Sequence, residues 1–130
     1  MRLFIIRHAE AAPGEPDELR TLTPHGKEQA RELGRRFVRD HITPDAIFSS
    51  PLLRARQTGE GIASAVGLEP EPDERLAPGA TVDDVRAVVA DRGDTIVVVG
   101  HQPDCGLIAA ALEGGDAPAF PAGGIRELQL

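Results

Sequence analysis

Tryptophan and tyrosine are absent from this sequence, and only four of its 130 residues are phenylalanine. Proteins that stack single-stranded bases build their platforms from such rings, so that mode of binding is excluded. The net charge of −7 excludes it again, because a protein that tracks a nucleic-acid backbone needs a positive footprint. Cysteine occurs once, at Cys105, which rules out an internal disulfide and suits a reducing compartment. No apolar run approaches the ~18 residues of a membrane span. Met1–Ile6 is too short for a signal peptide and lacks a cleavage pattern. The expectation is a soluble cytoplasmic chain, with no nucleic-acid or membrane partner and an undetermined oligomeric state. Its length suits one domain, 1–130, since compact domains run to ~100–150 residues.

What is present alternates. Short apolar runs are separated by amphipathic segments, the pattern of an α/β sheet. Leu3–Arg7 reads as a strand buried on both faces. Glu10–Thr21, with Pro13, Gly14 and Pro16, reads as a polar loop. Thr23 offers an N-cap and Pro24 a first helical residue, for a helix to about Val38 with Ala30, Leu33, Phe37 and Val38 on one face. Asp45–Ser49 is a second strand, and Ser50-Pro51 opens a second helix with Leu52, Ala55, Ile62 and Val66 inward. Gly67–Ala80 reads as a loop with at most a short strand. Thr81-x-x-Asp84 resembles a capping box before a helix bearing Val82, Val85, Val88 and Val89. Thr95–Val99 is a strand ending at Gly100-His101, Pro103 starts a helix to about Leu112, and Ile125–Leu130 closes the sheet. The predicted architecture is a three-layer α/β sandwich, a mostly parallel central sheet with helices on both faces and no cap domain. The chain stops directly after its last strand, and the alternatives expected there are a missing further edge strand or dimerisation across that edge.

Charge is uneven as well. Residues 1–65 carry 10 basic and 9 acidic groups, whereas 66–130 carry 4 and 12. The cations therefore sit where the chemistry does. Arg7 and His8 end the first strand, Arg54 lies in the first turn of the helix after the second, and His101 follows the Val97-Val98-Val99 run. Functional groups of open α/β sheets collect at the carboxyl ends of strands, so these four side chains converge in a cationic pocket. Guanidinium groups bind phosphate oxygens through paired donors. A neutral imidazole can attack phosphorus while its second nitrogen donates outward. The pocket suits phosphoryl transfer, by charge stabilisation and positioning. Zinc is disfavoured by the flanking arginines, and no cofactor is called for. Cys105 has no arginine following it until Arg126, which excludes a cysteine-nucleophile mechanism, and no P-loop sequence occurs.

Four blocks of the chain resemble the histidine phosphatase (phosphoglycerate-mutase-like) superfamily. They are Ile6-Arg7-His8-Ala9-Glu10, the Leu22-Thr23-Pro24-x-Gly26-x-x-Gln29-Ala30 stretch, Ser49 to Thr58 around Arg54, and Val98-Val99-Gly100-His101-Gln102-Pro103. The nearest branch resembled is that of the small SixA-type phosphohistidine phosphatases. The resemblance implies that His8 is transiently phosphorylated while Arg7, Arg54 and His101 hold the phosphoryl oxygens, without a metal. Arg20 would reach the phosphate or the substrate, or equally pair with an acidic loop residue. Gln102, beside the second histidine, is a further substrate-binding candidate.

Two departures stand out. Ala9 replaces the family's usual glycine, which is tolerable if φ there stays negative. Both customary positions of a proton donor are empty: Arg75-Leu76 is followed by Ala77-Pro78, and His101 by Gln102. Glu74 and Asp83 are weak substitutes, while Asp84 is better explained by the helix start. An alkoxide needs a proton to leave, whereas the imidazole of a phosphohistidine can carry one already. The expected substrate is accordingly a phosphohistidine-bearing protein. A small phosphate ester is the alternative, and a phosphate-recognition module without turnover a third reading. His25, His41, Arg56 and the Lys27, Arg31, Arg35, Arg39 row read as solvated surface.

Overall fold

The computed structural model describes residues 1–130. Its elements are β1 (Arg2–Arg7), α1 (Pro24–Arg39), β2 (Ala46–Ser49), α2 (Leu53–Val66), β3 (Pro70–Pro72), α3 (Val82–Val89), β4 (Thr95–Gly100), α4 (Asp104–Glu113) and β5 (Ile125–Gln129). Single 3₁₀ turns cover Asp17–Leu19 and Glu74–Leu76. The strands form one sheet in the order β3-β2-β4-β1-β5, parallel except for β5, which runs antiparallel to β1 at the edge. No helix is long and apolar enough to cross a membrane.

Alternation along each strand sorts the core into two layers, because successive side chains leave opposite faces of a sheet. Leu3, Ile5, Phe48, Ile96 and Val98 pack on one side with Val85, Val88 and Val89 of α3 and Cys105, Ile108 and Ala109 of α4. Phe4, Ile6, Ile47, Val97 and Val99 pack on the other with Leu33 and Phe37 of α1 and Ala55, Ile62 and Ala63 of α2. The fold is therefore the three-layer sandwich that the pattern predicted. Its helix starts follow their caps: Thr23 Oγ1 accepts from the Gly26 N–H (2.9 Å), and Thr81 and Asp84 form a reciprocal capping box.

Two local expectations need correction. Val38 is 54% exposed. The α1–α2 contact runs instead through Gly34, where a Cβ would lie 2.7 Å from that of Ala65, so the buried stripe is Ala30, Leu33, Gly34 and Phe37. The second helix starts at Leu53 rather than at Ser50, because the Ser50 N–H is held by the sheet, bonding the Val99 carbonyl at 3.0 Å. The region after α2 is, as expected, a loop with one short strand, the three-residue β3, whose following residue Asp73 extends the ladder through its N–H to the Ser49 carbonyl (2.9 Å).

Candidate active site

Strand register alone brings two histidines together. Arg7 of β1 stands opposite Gly100 of β4, so the residues that follow, His8 and His101, are about one strand spacing, ~4.8 Å, apart. The His8 N–H continues the ladder to the Gly100 carbonyl (2.9 Å). The two rings face each other with centroids 5.3 Å apart and planes tilted by 59°. On the other side of β4, Ser49 stands opposite Val99, and α2 begins four residues later with Arg54 in its first turn, 6% exposed.

Each ring is oriented by a further contact. His8 Nδ1 lies 2.8 Å from the Ala9 carbonyl. A carbonyl only accepts, so Nδ1 holds the proton and the Nε2 lone pair is free. Ala9 is fully buried beside Leu22 and Ala30, and its φ is not positive, the condition for replacing glycine. Its N–H donates to Thr58 Oγ1 (3.0 Å), whose hydroxyl donates to the Arg54 carbonyl (2.8 Å). The turn after β1 is thereby fixed to α2. His101 Nε2 lies 2.7 Å from Ser50 Oγ, which also accepts from the Leu52 N–H (3.2 Å). The Ser50 hydroxyl proton is free to lie on the line to His101, an arrangement that leaves the ring proton on Nδ1.

The arginines are held at their ends. Arg7 Nη1 donates to the Phe120 carbonyl (3.0 Å). Arg54 donates from Nη1 to the Asp17 carbonyl (2.9 Å) and from Nη2 to Asp17 Oδ2 (3.2 Å). Arg20 donates from Nη1 to Asp17 Oδ1 (3.2 Å) and from Nε to the Ala12 carbonyl (2.9 Å). The Nε atoms of both Arg7 and Arg54 are buried without a partner. An unmade hydrogen bond of this kind costs ~1–3 kcal/mol or more for a charged group, and an anion accepting from both guanidiniums would remove that cost.

Burial is the larger cause of a downward shift in both histidines, followed for His101 by the charge of His8 and then Arg54. In His8 the Ala9 bond acts against burial, and the charges of Arg54, Arg7 and Arg20 reinforce it. His101 falls to about 4 and His8 lies below the ordinary imidazole value, so both rings are neutral at pH 7. Acid removes the His8 lone pair. The acid limb of kcat/KM, which reports the free enzyme, is therefore expected to have its midpoint below pH 6.5, the usual imidazole value. Both folded-state values are depressed, so the associated stability is complete above the unfolded pKa and is lost as pH falls toward about 4. A pH–rate profile with parallel thermal melts checks both; an acid limb above pH 7 contradicts the assignment.

Arg7, His8, Arg54 and His101 thus converge, with Arg20 near enough for its charge to act on His8. Of its two readings, Arg20 takes the acidic loop partner, Asp17. Gln102 turns onto its own helix, its Oε1 accepting from the Gly106 N–H (2.9 Å). Glu74 and Asp83 are exposed and hydrogen-bond to none of the four. Sequence reasoning missed Asp17, Ser50 and Thr58. The last two lie inside the block around Arg54 and carry a legible signal, a hydroxyl beside each key residue. The cavity of about 460 Å³ lined by His25, Gln29 and Gly123 lies along α1 and does not include the four.

With this geometry in place, similarity to known proteins becomes informative. Residues 3–78 match the family model of the histidine phosphatase superfamily, branch 1. The chain belongs to that superfamily. Within it, this histidine phosphatase is 29% identical to the phosphohistidine phosphatase SixA of Escherichia coli over 126 residues, 91% of this chain and 78% of SixA. The structure of SixA complexed with tungstate superposes with a TM-score of 0.91 at 28% identity, covering 100% of this chain and 88% of that one. A mycobacterial glucosyl-3-phosphoglycerate phosphatase shares the fold, with a TM-score of 0.74 at 20% identity over 98% of this chain and 89% of its own. Phosphatase chemistry is what a member of this superfamily with these four side chains supports.

Proposed function

We propose that the protein is a metal-independent phosphatase that works through a phosphohistidine intermediate on His8 and takes its phosphoryl group from phosphohistidine in a protein. The observation that carries the chemistry is the His8 ring: its proton is committed to Ala9, and Nε2 is left as a nucleophile at the carboxyl end of β1. Attack by Nε2 forms a P–N bond as the bond to the leaving group breaks. The Nε–H groups of Arg7 and Arg54, buried and unpartnered, supply charge-assisted bonds to the equatorial oxygens. His101 adds the proton on Nδ1. Water then displaces phosphate from His8.

Leaving-group chemistry selects the substrate. Ala77 and Pro78 offer no proton at one customary position, and Gln102 none at the other. A general acid is worth ~10²–10⁴-fold to an alkoxide, whereas imidazole departs without it if its far nitrogen is protonated. Similarity to SixA, a phosphohistidine phosphatase, supports the same choice.

The test uses purified protein in EDTA with a phosphohistidine-bearing protein, an aryl phosphate and an alkyl phosphate. Expected is EDTA-insensitive hydrolysis, with kcat/KM ordered phosphohistidine, aryl, alkyl and the last lower by ~10² or more. An alkyl ester equal to phosphohistidine contradicts the substrate assignment. No turnover at all, with phosphate still raising the melting temperature, makes the pocket a recognition module.

A further inference from the structure

We propose that Asp17 takes the proton from the water that hydrolyses the His8 phosphoenzyme, so that the site has a base for its second step and no acid for its first. The proposal rests on the His8 reading above. Asp17 is the carboxylate bonded to a pocket arginine, through Oδ2 to Arg54 (3.2 Å), and it is clamped from the other side by Arg20 through Oδ1 (3.2 Å). Its charge is felt at His101. His8 is 8% exposed, while the Asp17 side chain is 57% exposed. In-line displacement requires water to reach phosphorus from the side opposite His8; with His8 buried, we place that approach on the solvent side, toward the exposed Asp17 carboxylate.

The step balances. A water oxygen bonds to phosphorus, the P–Nε2 bond breaks, and its electron pair returns to Nε2 while Nδ1 keeps its proton on Ala9. The water proton passes to Asp17, hydrogen phosphate departs, and Asp17 releases the proton to solvent.

The two guanidinium bonds, Arg20 first and then Arg54, hold the Asp17 carboxyl below the usual carboxylate range. It is ionised at neutral pH and has no proton to give a departing group. Phosphoryl oxygens bound at Arg54 Nε bring negative charge beside the carboxylate held by the Nη groups. Loading the site therefore makes Asp17 more basic, by like-charge repulsion, at the stage that needs a base. By microscopic reversibility the position that activates water is also the one that would protonate a leaving group, so an anionic Asp17 confines the first step to groups that leave unaided.

The test is Asp17→Asn against the native protein, with 4-nitrophenyl phosphate in a pre-steady-state experiment and alkaline quenching to preserve phosphohistidine. Expected is a kcat lower by ~10², a lower KM, a nitrophenolate burst approaching one per active site, and most of the protein phosphorylated on His8 during turnover. Asp17→Glu restores part of kcat. An unchanged kcat, or a fall without accumulated phosphoenzyme, overturns the proposal, since a merely structural loss slows the first step and holds no intermediate. Inactivity of the native protein would sink the parent reading instead, and the two failures are distinct.

Discussion

Alanine in place of His8 lowers kcat by about 10⁴-fold or more, the scale seen when a nucleophile is removed from an otherwise intact site. Under the proposed mechanism the ring would make the protein's one bond to phosphorus, and its neighbour would not substitute. His101 is held to Ser50 through Nε2 and is displaced from His8 by 5.3 Å between ring centroids. Anion binding should survive, because Arg7, Arg54 and His101 are untouched, and phosphate or tungstate should still raise the melting temperature. Stability itself should hold, since the substitution removes a buried polar ring that gains little beyond its own Ala9 bond. Turnover and ligand-induced melting shift, measured on one preparation, separate loss of chemistry from loss of the pocket. Retention of more than a few per cent of kcat would move the nucleophile elsewhere.

Arg54→Ala should be the next most damaging change, lowering kcat/KM by ~10²–10³, the loss typical of one preorganised donor to a transition-state anion. Two effects add here. The buried Nε–H is removed, and so are both bonds that tether Asp17. Arg54→Lys should recover little, because an ammonium cannot hold Asp17 at two points and offer a third donor to phosphate. The pH profile gives an independent readout. Arg54 depresses the His8 pKa through its charge, so in Arg54→Ala the acid limb of kcat/KM should move upward toward the ordinary imidazole value. Wild-type activity in the lysine variant would show that charge alone suffices and that the fixed guanidinium geometry is dispensable.

The sequence exposes those parts of the fold that depend on periodicity and local caps. Leu3–Arg7 and Thr95–Val99 are apolar on both faces because helices cover both, and Thr23 and Thr81 mark helix starts through bonds closed within four residues. The four pocket side chains are legible for the same reason: each sits at or just beyond a strand end, and parallel pairing aligns those ends. Asp17 is not legible. It lies between Pro16 and Leu19 in a loop with no period, and its partner Arg54 is 37 residues away. For Gln102, a place next to His101 says nothing of χ angles, and the Gly106 N–H takes its oxygen. Ser50 shows the same tension, with a sequence suited to opening a helix and an N–H captured by β4.

The brevity of β3 has a bearing on behaviour in concentrated solution. Its inward hydrogen bonds fall on alternate residues, Asp73 among them, so Pro70 and Pro72 turn their nitrogens outward. Proline has no N–H. A strand arriving from solvent at that rim meets carbonyls and no donors, and cannot complete a ladder. At the opposite rim Arg126 and Glu127 are tied into ion pairs with Glu113 and Arg2, and charge on an exposed edge discourages stacking of like sheets. The molecule thus carries its five strands with neither rim inviting self-templated growth into fibres.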